Sequence, residues 1–316
     1  MSKTAQILRI EKISPNDGKG LRTVVFFKGC PLKCVWCSTP ESQKMASEIY
    51  YQAAKCVSCG VCTVNCPQEA LSLQNNGILQ IDRQKCRSCF TCTDVCTTGA
   101  LGIYGKQMTV KEVLKQILKD EIFYYHSGGG VTLSGGDVLR QADFARELLI
   151  GCKEAGIHTM AELDMFGDYE CVAKLLPYLD AFYVDLKIMD SIQHKKWTGV
   201  DNHTILENTK KAAQECKKGA LHVRVPLIWN INDSQENIIK TAEFCKNLAS
   251  CQELEFLPYH RLGQITYEYL GKTYALEQLS AMTWKDAWER VECLEKLQLP
   301  FETKIAGRPI KDGFFS

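Results

Sequence analysis

Cys30, Cys34 and Cys37 stand four and three residues apart in Gly29-Cys30-Pro31-Leu32-Lys33-Cys34-Val35-Trp36-Cys37, a loop that follows the apolar run Thr23 to Phe27. Thiolates are soft ligands that select zinc, copper(I) or iron–sulfur clusters. Metal sites that only hold structure are closed, whereas a catalytic metal keeps one position open for substrate. Three ligands rather than four therefore carry the information, because a [4Fe–4S] cluster held by these cysteines leaves one iron free. A zinc knuckle completed by a distant His or Cys is the alternative.

Eight further cysteines form a second system. Cys56, Cys59, Cys62 and Cys66, followed by Pro67, have the spacing CxxCxxCxxxCP, and Cys86, Cys89, Cys92 and Cys96 repeat it thirty residues later without the proline. This is the bacterial ferredoxin run, in which the fourth cysteine ligates the other cluster. Cys56, Cys59, Cys62 and Cys96 are expected on one [4Fe–4S] cluster, and Cys86, Cys89, Cys92 and Cys66 on the second. Three closely spaced ligands wrap one face, and the pseudo-twofold partner supplies the fourth. Zinc alone is the competing occupant. Between the runs, Leu71 to Ile81 reads as a hairpin about Asn75-Asn76-Gly77. Residues 50–104 are thus expected to form a ferredoxin-like α+β insert that passes electrons toward the first cluster. The alternative is a module whose clusters only hold its shape. Cys152, Cys171, Cys216, Cys245, Cys251 and Cys293 fall singly and read as small core hydrophobes.

These ligands must be positioned by an alternation of strands and helices. Apolar runs at Leu21–Lys28, Val131–Leu133, Ile157–Leu163, Ala181–Leu186, Leu221–Ile228 and Leu254–Leu257 read as six strands, with Phe301–Ile305 a candidate last one. Helical periodicity separates them, as in Phe144 to Ala155 and Glu236 to Leu248, and Thr109-Val110-Lys111-Glu112 is a capping box. The alternation implies parallel βαβ units. Six repeats fall short of the eight of a closed barrel. Residues 1–20 end in Asn16-Asp17-Gly18-Lys19-Gly20, a turn-rich stretch ahead of the first strand. The expected division is 1–49 and 105–316 for one α/β domain, interrupted by the insert.

Several polar residues fall where such a domain places its ligands, at strand ends. The stretch His126 to Asp137 is strand-flanked and glycine-rich, suiting a phosphate cradle or an ordinary turn. Asp164 follows the third strand, Asp185-Leu186-Lys187 ends the fourth, and His260 follows the strand that closes with Leu257-Pro258-Tyr259. Taken alone, a strand-end Asp-x-Lys is ordinarily a surface ion pair. Tyr259 fits a core position equally well.

The CxxxCxxC loop with an aromatic, Trp36, before its last cysteine resembles the radical S-adenosylmethionine (SAM) superfamily. Within it, the chain is similar to the activating enzymes of glycyl radical enzymes, such as the pyruvate formate-lyase activator. The resemblance implies a partial (β/α)6 TIM-like barrel, open on one side. It implies that the open iron chelates the amino and carboxylate groups of SAM, and that an electron cleaves the sulfonium to methionine and a 5′-deoxyadenosyl radical. That radical would take the α-hydrogen of a glycine in a partner enzyme. Ser134, Gly135 and Gly136 match the family's Ser-Gly-Gly-Glu, which binds the SAM amino group, with Asp137 standing for the usual Glu. Asp164 aligns with the first residue of Asp-Thr-Asn-Gly, here Asp-Met-Phe-Gly. Asp164 and Asp185 would help a monovalent cation near SAM, Lys187 would contact the SAM carboxylate, and His260 of Leu-Pro-Tyr-His would sit by the ribose. Arg224, within the fifth strand, is the candidate contact to SAM or the incoming peptide. Asp17 and Arg22 match Asp-Gly-Pro-Gly-x-Arg, which meets the partner's glycine loop, with Lys19 in place of the proline. The radical would act on a small molecule in the competing version of this function, and an electron carrier without SAM chemistry is a third. Inserts of this kind are seen in activators of decarboxylases, dehydratases, lyases and fumarate-adding synthases.

A formal charge of +1 over 316 residues gives no global field for nucleic acid or an anionic membrane. Neither an 18-residue apolar run nor an apolar leader is evident, so no membrane span or signal peptide is expected. Seventeen cysteines, most of them in metal-type runs, point to the reducing cytosol, and the oxygen sensitivity of exposed clusters adds the expectation of an anaerobe. The expected reductant is an external flavodoxin or ferredoxin.

Overall fold

The computed structural model describes residues 3–310. Its strands are β1 (Thr4–Ser14), β2 (Arg22–Phe27), β3 (Glu48–Tyr51), β4 (Leu71–Leu73), β5 (Leu79–Ile81), β6 (Leu101–Tyr104), β7 (Lys106–Thr109), β8 (Gly130–Gly135), β9 (His158–Leu163), β10 (Ala181–Asp185), β11 (Leu221–Leu227), β12 (Cys251–Pro258), β13 (Glu302–Ile305) and β14 (Arg308–Pro309). Its helices are α1 (Val61–Val64), α2 (Thr91–Asp94), α3 (Val110–Ile117), α4 (Glu121–Ser127), α5 (Ala142–Glu154), α6 (Tyr169–Leu175), α7 (Ser191–Thr198), α8 (His203–Glu215), α9 (Gln235–Lys246), α10 (Gln264–Tyr269) and α11 (Trp284–Val291).

Ten strands form one sheet in the order β14-β13-β12-β11-β10-β9-β8-β2-β1-β7. From β2 through β13 every neighbouring pair is parallel, so the six expected strands lie side by side and Phe301–Ile305 contributes the seventh as β13. The ends of this order, β7 and β14, are not paired with each other. The chain is therefore α/β with a mostly parallel, open central sheet.

Residues 4–14 precede the turn-rich stretch and make a strand ahead of the expected first one. They form β1, which pairs antiparallel with β2 on one side and with β7 on the other. Ala5 and Ile7 enter the main core while Leu8 packs with Val24 and Phe26 on the opposite face, so the strand is held by both faces. Turn chemistry begins only after Ser14.

The sheet's two faces are chemically unlike. Leu133, Leu163, Phe182, Val184, Val223 and Val225 point outward into the core under the helices. There α5 contributes Phe144, Ala145, Leu148, Leu149 and Cys152, spaced to form one apolar face. The capping box opens α3 as expected, Thr109 Oγ1 accepting from Glu112 N and the Glu112 carboxylate from Thr109 N. Alternate positions along the same strands and at their ends are polar, and on the inner face Arg224 joins Glu162, Glu255 and the Tyr183 ring while Ser134 joins Glu162. A sheet covered on both faces ordinarily reads as continuous hydrophobic runs. Here a polar residue at every second position sets the inner face apart from the outer one.

Between β2 and β7 the chain makes an excursion with its own small core of Ile49, Leu71, Leu79, Cys92 and Leu101. β3 pairs antiparallel with β6, and the expected hairpin is present as β4–β5. The cysteine repeat is also a conformational repeat: Ser58 and Ser88 both have left-handed φ, as do Gly60 and Phe90, thirty residues apart. Arg83 ties the excursion to the large α/β unit, donating to Ile49 O at 2.6 Å and Tyr269 O at 3.4 Å.

Candidate functional site

The loop carrying Cys30, Cys34 and Cys37 leaves the C-terminal end of β2 and is fixed by its backbone. Gly29 N donates to Ser42 O at 2.7 Å, Cys30 N to Gln43 O at 3.0 Å and Lys33 N to Thr198 O at 2.7 Å. Trp36 is buried in the main core and anchors the loop from below. Two glycines let backbones pass close by. A Cβ on Gly136 would lie 2.6 Å from Gly29 O, and one on Gly263 would lie 2.7 Å from Ser38 Cα. We predict that Gly136→Ala displaces the Cys30 end of the loop at a cost of ~1–3 kcal/mol. Iron bound after reconstitution, measured against wild type, should fall at this site, and full iron content would refute the packing argument.

The three thiols sense one another, and burial pushes Cys34 up to about 12 and Cys30 higher still. Buried thiols in apolar surroundings stay protonated and inert, whereas a bound metal deprotonates them outright. Lys187, whose charge favours thiolate at Cys34, already supplies part of that pull. The donor set thus fits a soft metal cluster. Among the described residues, no three His, Cys, Asp or Glu side chains converge as a single metal ion requires.

Strand ends bring the other candidates to the same place. Asp164 Oδ1 accepts from Phe166 N at 2.9 Å, while Oδ2 lies 3.6 Å from Cys30 Sγ. Asp137 caps the following 3-10 turn through Leu139 N at 3.2 Å, and its Oδ2 is buried with no donor. Burial first, and the neighbouring Asp164 carboxylate second, hold Asp137 well above the usual carboxylate range. Two adjacent buried carboxylates, one with an orphan oxygen, are a demand for positive charge. Lys187 Nζ donates to Asp185 Oδ2 at 3.0 Å. Burial is the largest single influence and opposes its charge, but Asp185, Cys34 and Asp164 together hold the ammonium above the usual lysine range. Gly135, with φ of +117°, ends β8 where a Cβ would meet Phe27 N at 2.3 Å, so only glycine fits. His260 follows β12 with its ring exposed, and Tyr259 is core, its hydroxyl 2.7 Å from that of Tyr274.

One layer deeper, Arg224 is held more firmly than a free ligand contact would be. It donates to Glu162 Oε1 and Glu255 Oε2, both at 2.8 Å, and its guanidinium lies 3.5 Å from the Tyr183 ring centroid. Ser134 Oγ donates to the other oxygen of Glu162. Glu162, Tyr183 and Glu255 escaped the sequence reading, although the period-two polar pattern within apolar strands was a signal for all three.

Asp17 and Arg22 lie at the opposite, N-terminal end of the strands. Arg22 is completely buried, which corrects its expected contact with a partner. Its donors are taken by Thr132 Oγ1 at 2.6 Å, Val131 O at 2.6 Å and Lys19 O at 3.1 Å. It therefore braces the turn that carries Asp17, and Thr132 Oγ1 donates to Asp17 O at 2.7 Å from the other side.

In the excursion, two cavities are lined by cysteines. One gathers Cys66 with Cys86, Cys89 and Cys92, and the other Cys96 with Cys56, Cys59 and Cys62. In each, three cysteines of one run meet the last cysteine of the other.

Residues 55–100 match a family model described as a 4Fe-4S dicluster domain. The chain is 39% identical over 306 residues to the choline trimethylamine-lyase activating enzyme of Oleidesulfovibrio alaskensis, covering 95% of this chain and 98% of that protein. It is 41% identical over 282 residues to the (2S)-3-sulfopropanediol sulfolyase activating enzyme of Bilophila wadsworthia, covering 88% and 93%. The trans-4-hydroxy-L-proline dehydratase activating enzyme of Clostridioides difficile is 39% identical over 307 residues, covering 95% and 99%. Among solved structures, a domain of a pyruvate-formate lyase-activating enzyme from Bacteroides vulgatus aligns at 26% identity and a TM-score of 0.46, over 56% of this chain and 98% of that one. Sharing about two residues in five with these activators along nearly its whole length, the chain belongs to the radical SAM activating enzymes of glycyl radical enzymes.

Proposed function

We propose that Cys30, Cys34 and Cys37 hold the SAM-binding [4Fe–4S] cluster and that the strand ends around them orient SAM for hydrogen abstraction from a partner's glycine. The observation that carries this reading is the convergence of Cys30, Asp137, Asp164, Asp185 and Lys187 at one end of the sheet. When bound, the cluster supplies the electron that cleaves the sulfonium of SAM. The chain's own residues set the geometry. The orphaned oxygen of Asp137 and the Asp164 carboxylate suit the α-ammonium of SAM or a monovalent cation shared with Asp185. Lys187 suits the carboxylate, Ser134 to Gly136 and Trp36 line the pocket, and His260 stands at the ribose side. Arg224 presents its guanidinium edge to SAM or to the incoming peptide. None of these groups performs acid–base work. Their contribution is positioning, which a short-lived radical requires.

Residues 50–104 act as a ferredoxin-like insert in the 1–49 and 105–316 barrel, holding two further [4Fe–4S] clusters on the crossed cysteine sets. Its reductant is an external flavodoxin or ferredoxin of the cytosol. The glycine segment passes the Asp17 turn, which Arg22 braces. No helix among the described residues is long and apolar enough to cross a membrane.

The decisive test is anaerobic. The reconstituted, reduced protein with SAM and a glycyl radical enzyme should give a glycyl doublet by EPR and stoichiometric 5′-deoxyadenosine. Deoxyadenosine without a doublet from any such enzyme would move the substrate to a small molecule, and neither signal would sink the reading. The crossed ligation has its own check. Cys96→Ser should perturb the same EPR component as Cys56→Ser and leave the component perturbed by Cys66→Ser and Cys86→Ser intact. Uncrossed pairs of effects would reassign the fourth ligands.

A further inference from the structure

We infer that α10, with Arg83 and Lys272 at its far end, is the bridge by which electrons leave the insert, an assignment that rests on the reading that each cysteine set holds a cluster. They leave from the set of Cys66, Cys86, Cys89 and Cys92, while the set of Cys56, Cys59, Cys62 and Cys96 lies farther out. The order follows from one strand. β3 starts at the large α/β unit, where Glu48 Oε2 lies 3.6 Å from Nζ of Lys28, a fully buried residue two positions before Cys30. The chain returns at the same point, since a Cβ on Gly105 would lie 2.2 Å from Lys28 Cδ. Ile49, next along β3, lines the cavity of the Cys86 set, whereas Tyr51 lines that of the Cys56 set. Residues two apart on a strand face the same side, roughly 7 Å from each other. The two cavities are therefore stacked along one face of β3, and the Cys86 cavity is the one beside the joint.

α10 spans the remaining distance to the Cys30 loop. Just before it, Gly263 packs on Ser38, the residue after Cys37, so closely that a Cβ would lie 2.7 Å from Ser38 Cα. Tyr267, within the helix, is buried in the core that also holds Cys34 and Trp36. At the far end Tyr269 O accepts from Arg83 Nη2 at 3.4 Å, while Arg83 Nη1 donates to Ile49 O at 2.6 Å. Arg83 stands three residues before Cys86, so one guanidinium bonds both the wall of the inner cavity and the helix. A Cβ on Gly271 would lie 3.9 Å from Arg83 Nε. Lys272 follows, its N–H donating to Tyr267 O at 2.8 Å and its half-buried ammonium interacting with Glu48, Cys37 and Arg83. Two cations thus stand between the Cys86 set and Cys37. Charge and hydrogen bonding near an iron–sulfur cluster set its potential, and a cation favours the reduced, more negative state. The bridge carries one electron for each SAM cleaved. The Cys86 set is oxidised by one, the Cys30 set is reduced by one, and the external flavodoxin or ferredoxin restores the insert. No bond or proton changes place at the bridge.

EPR of the fully reduced protein reads the order without turnover. The component of the Cys30 loop is the one that changes when SAM is added, and its spin relaxation reports the nearest other paramagnet. Cys86→Ala/Cys89→Ala should slow that relaxation, whereas Cys56→Ala/Cys59→Ala should leave it close to wild type. The reverse pattern, equal changes or no change in either variant would overturn the order. Arg83→Met keeps every ligand, so it tests the bridge even where the cysteine variants do not fold. It should slow reduction of the SAM-responsive component by reduced flavodoxin by about 10- to 100-fold. It should also shift the midpoint potential of the component perturbed by Cys86→Ser to more negative values. Arg83→Lys should restore that potential, because the charge returns, but only part of the rate, because lysine lacks the fork that bonds Ile49 O and Tyr269 O together. Lys272→Met should slow the same electron transfer. Photoreduced 5-deazaflavin, small enough to reach the Cys30 loop directly, should reduce the SAM-responsive component of Arg83→Met as fast as that of wild type. An unchanged rate with flavodoxin, or equal losses with both reductants, would overturn the bridge. A reconstituted wild type that shows the SAM-responsive component and no other would instead remove the underlying reading of the insert.

Discussion

Cys34→Ala should abolish 5′-deoxyadenosine formation while leaving the insert loaded. Cys34 is buried between Cys30 and Cys37, and its thiol also faces the Lys187 ammonium. On the proposed ligation, alanine removes one of the three thiolates that hold the cluster. Iron should fall from about twelve to about eight per chain, the loss of one four-iron cluster. The two remaining EPR components should persist after reduction. Loss of all three components would mean that the variant misfolds, and retained SAM cleavage would show that the loop is not the reactive site. Cys293→Ala, at a single half-buried cysteine far along the chain, is the matched control and should change neither iron nor activity.

Arg224→Met should be among the most destabilising single changes in the central sheet. It leaves Glu162 and Glu255 inside the sheet without their shared cation, and it removes the guanidinium from the Tyr183 face. Removing one partner of a buried ion pair costs about 3–5 kcal/mol, because an uncompensated charge remains. Glu162→Gln/Glu255→Gln in the same background should recover much of that loss, since amides in place of carboxylates remove the stranded charge. Thermal midpoints of the three proteins, loaded equally with iron, read the effect. Failure of the triple variant to recover would show that Arg224 acts through packing rather than charge. If Arg224 also touches SAM or the glycine segment, the recovered variant should remain defective in turnover despite normal stability.

Fold and site were unequally legible in the sequence. The six parallel strands announced themselves because a strand under helices needs an apolar outer face, and Leu133, Leu163, Phe182, Val184, Val223 and Val225 meet that need. The cysteine sets were legible because ligand spacing is a local property. β1 was not, since Thr4 to Ser14 mixes charged and apolar residues and is held by pairing with β2 and β7, which lie far apart in sequence. Arg22 matched a motif, but its burial depends on Thr132 and Val131 arriving from β8, a contact across about a hundred residues that no local pattern contains. Glu162 and Glu255 were hidden for a related reason. Each is an ordinary charged residue until the register places Arg224 opposite Glu255 and the inner face brings it to Glu162.

The pairing of β3 with β6 has a consequence for how such a chain can change. Glu48 and Tyr104 are directly opposed, so the excursion begins and ends at nearly one point in space. Neighbouring strands lie about 5 Å apart. Seen from the barrel, everything between these residues is a loop whose ends already meet. The entropy of closing a loop grows only logarithmically with its length, at about 0.6 kcal/mol per doubling. Lengthening or shortening the excursion therefore asks little of the barrel, whose strand order and register lie wholly outside it. A lineage can gain, lose or exchange this excursion as a cassette while the Cys30–Cys37 loop upstream keeps its place.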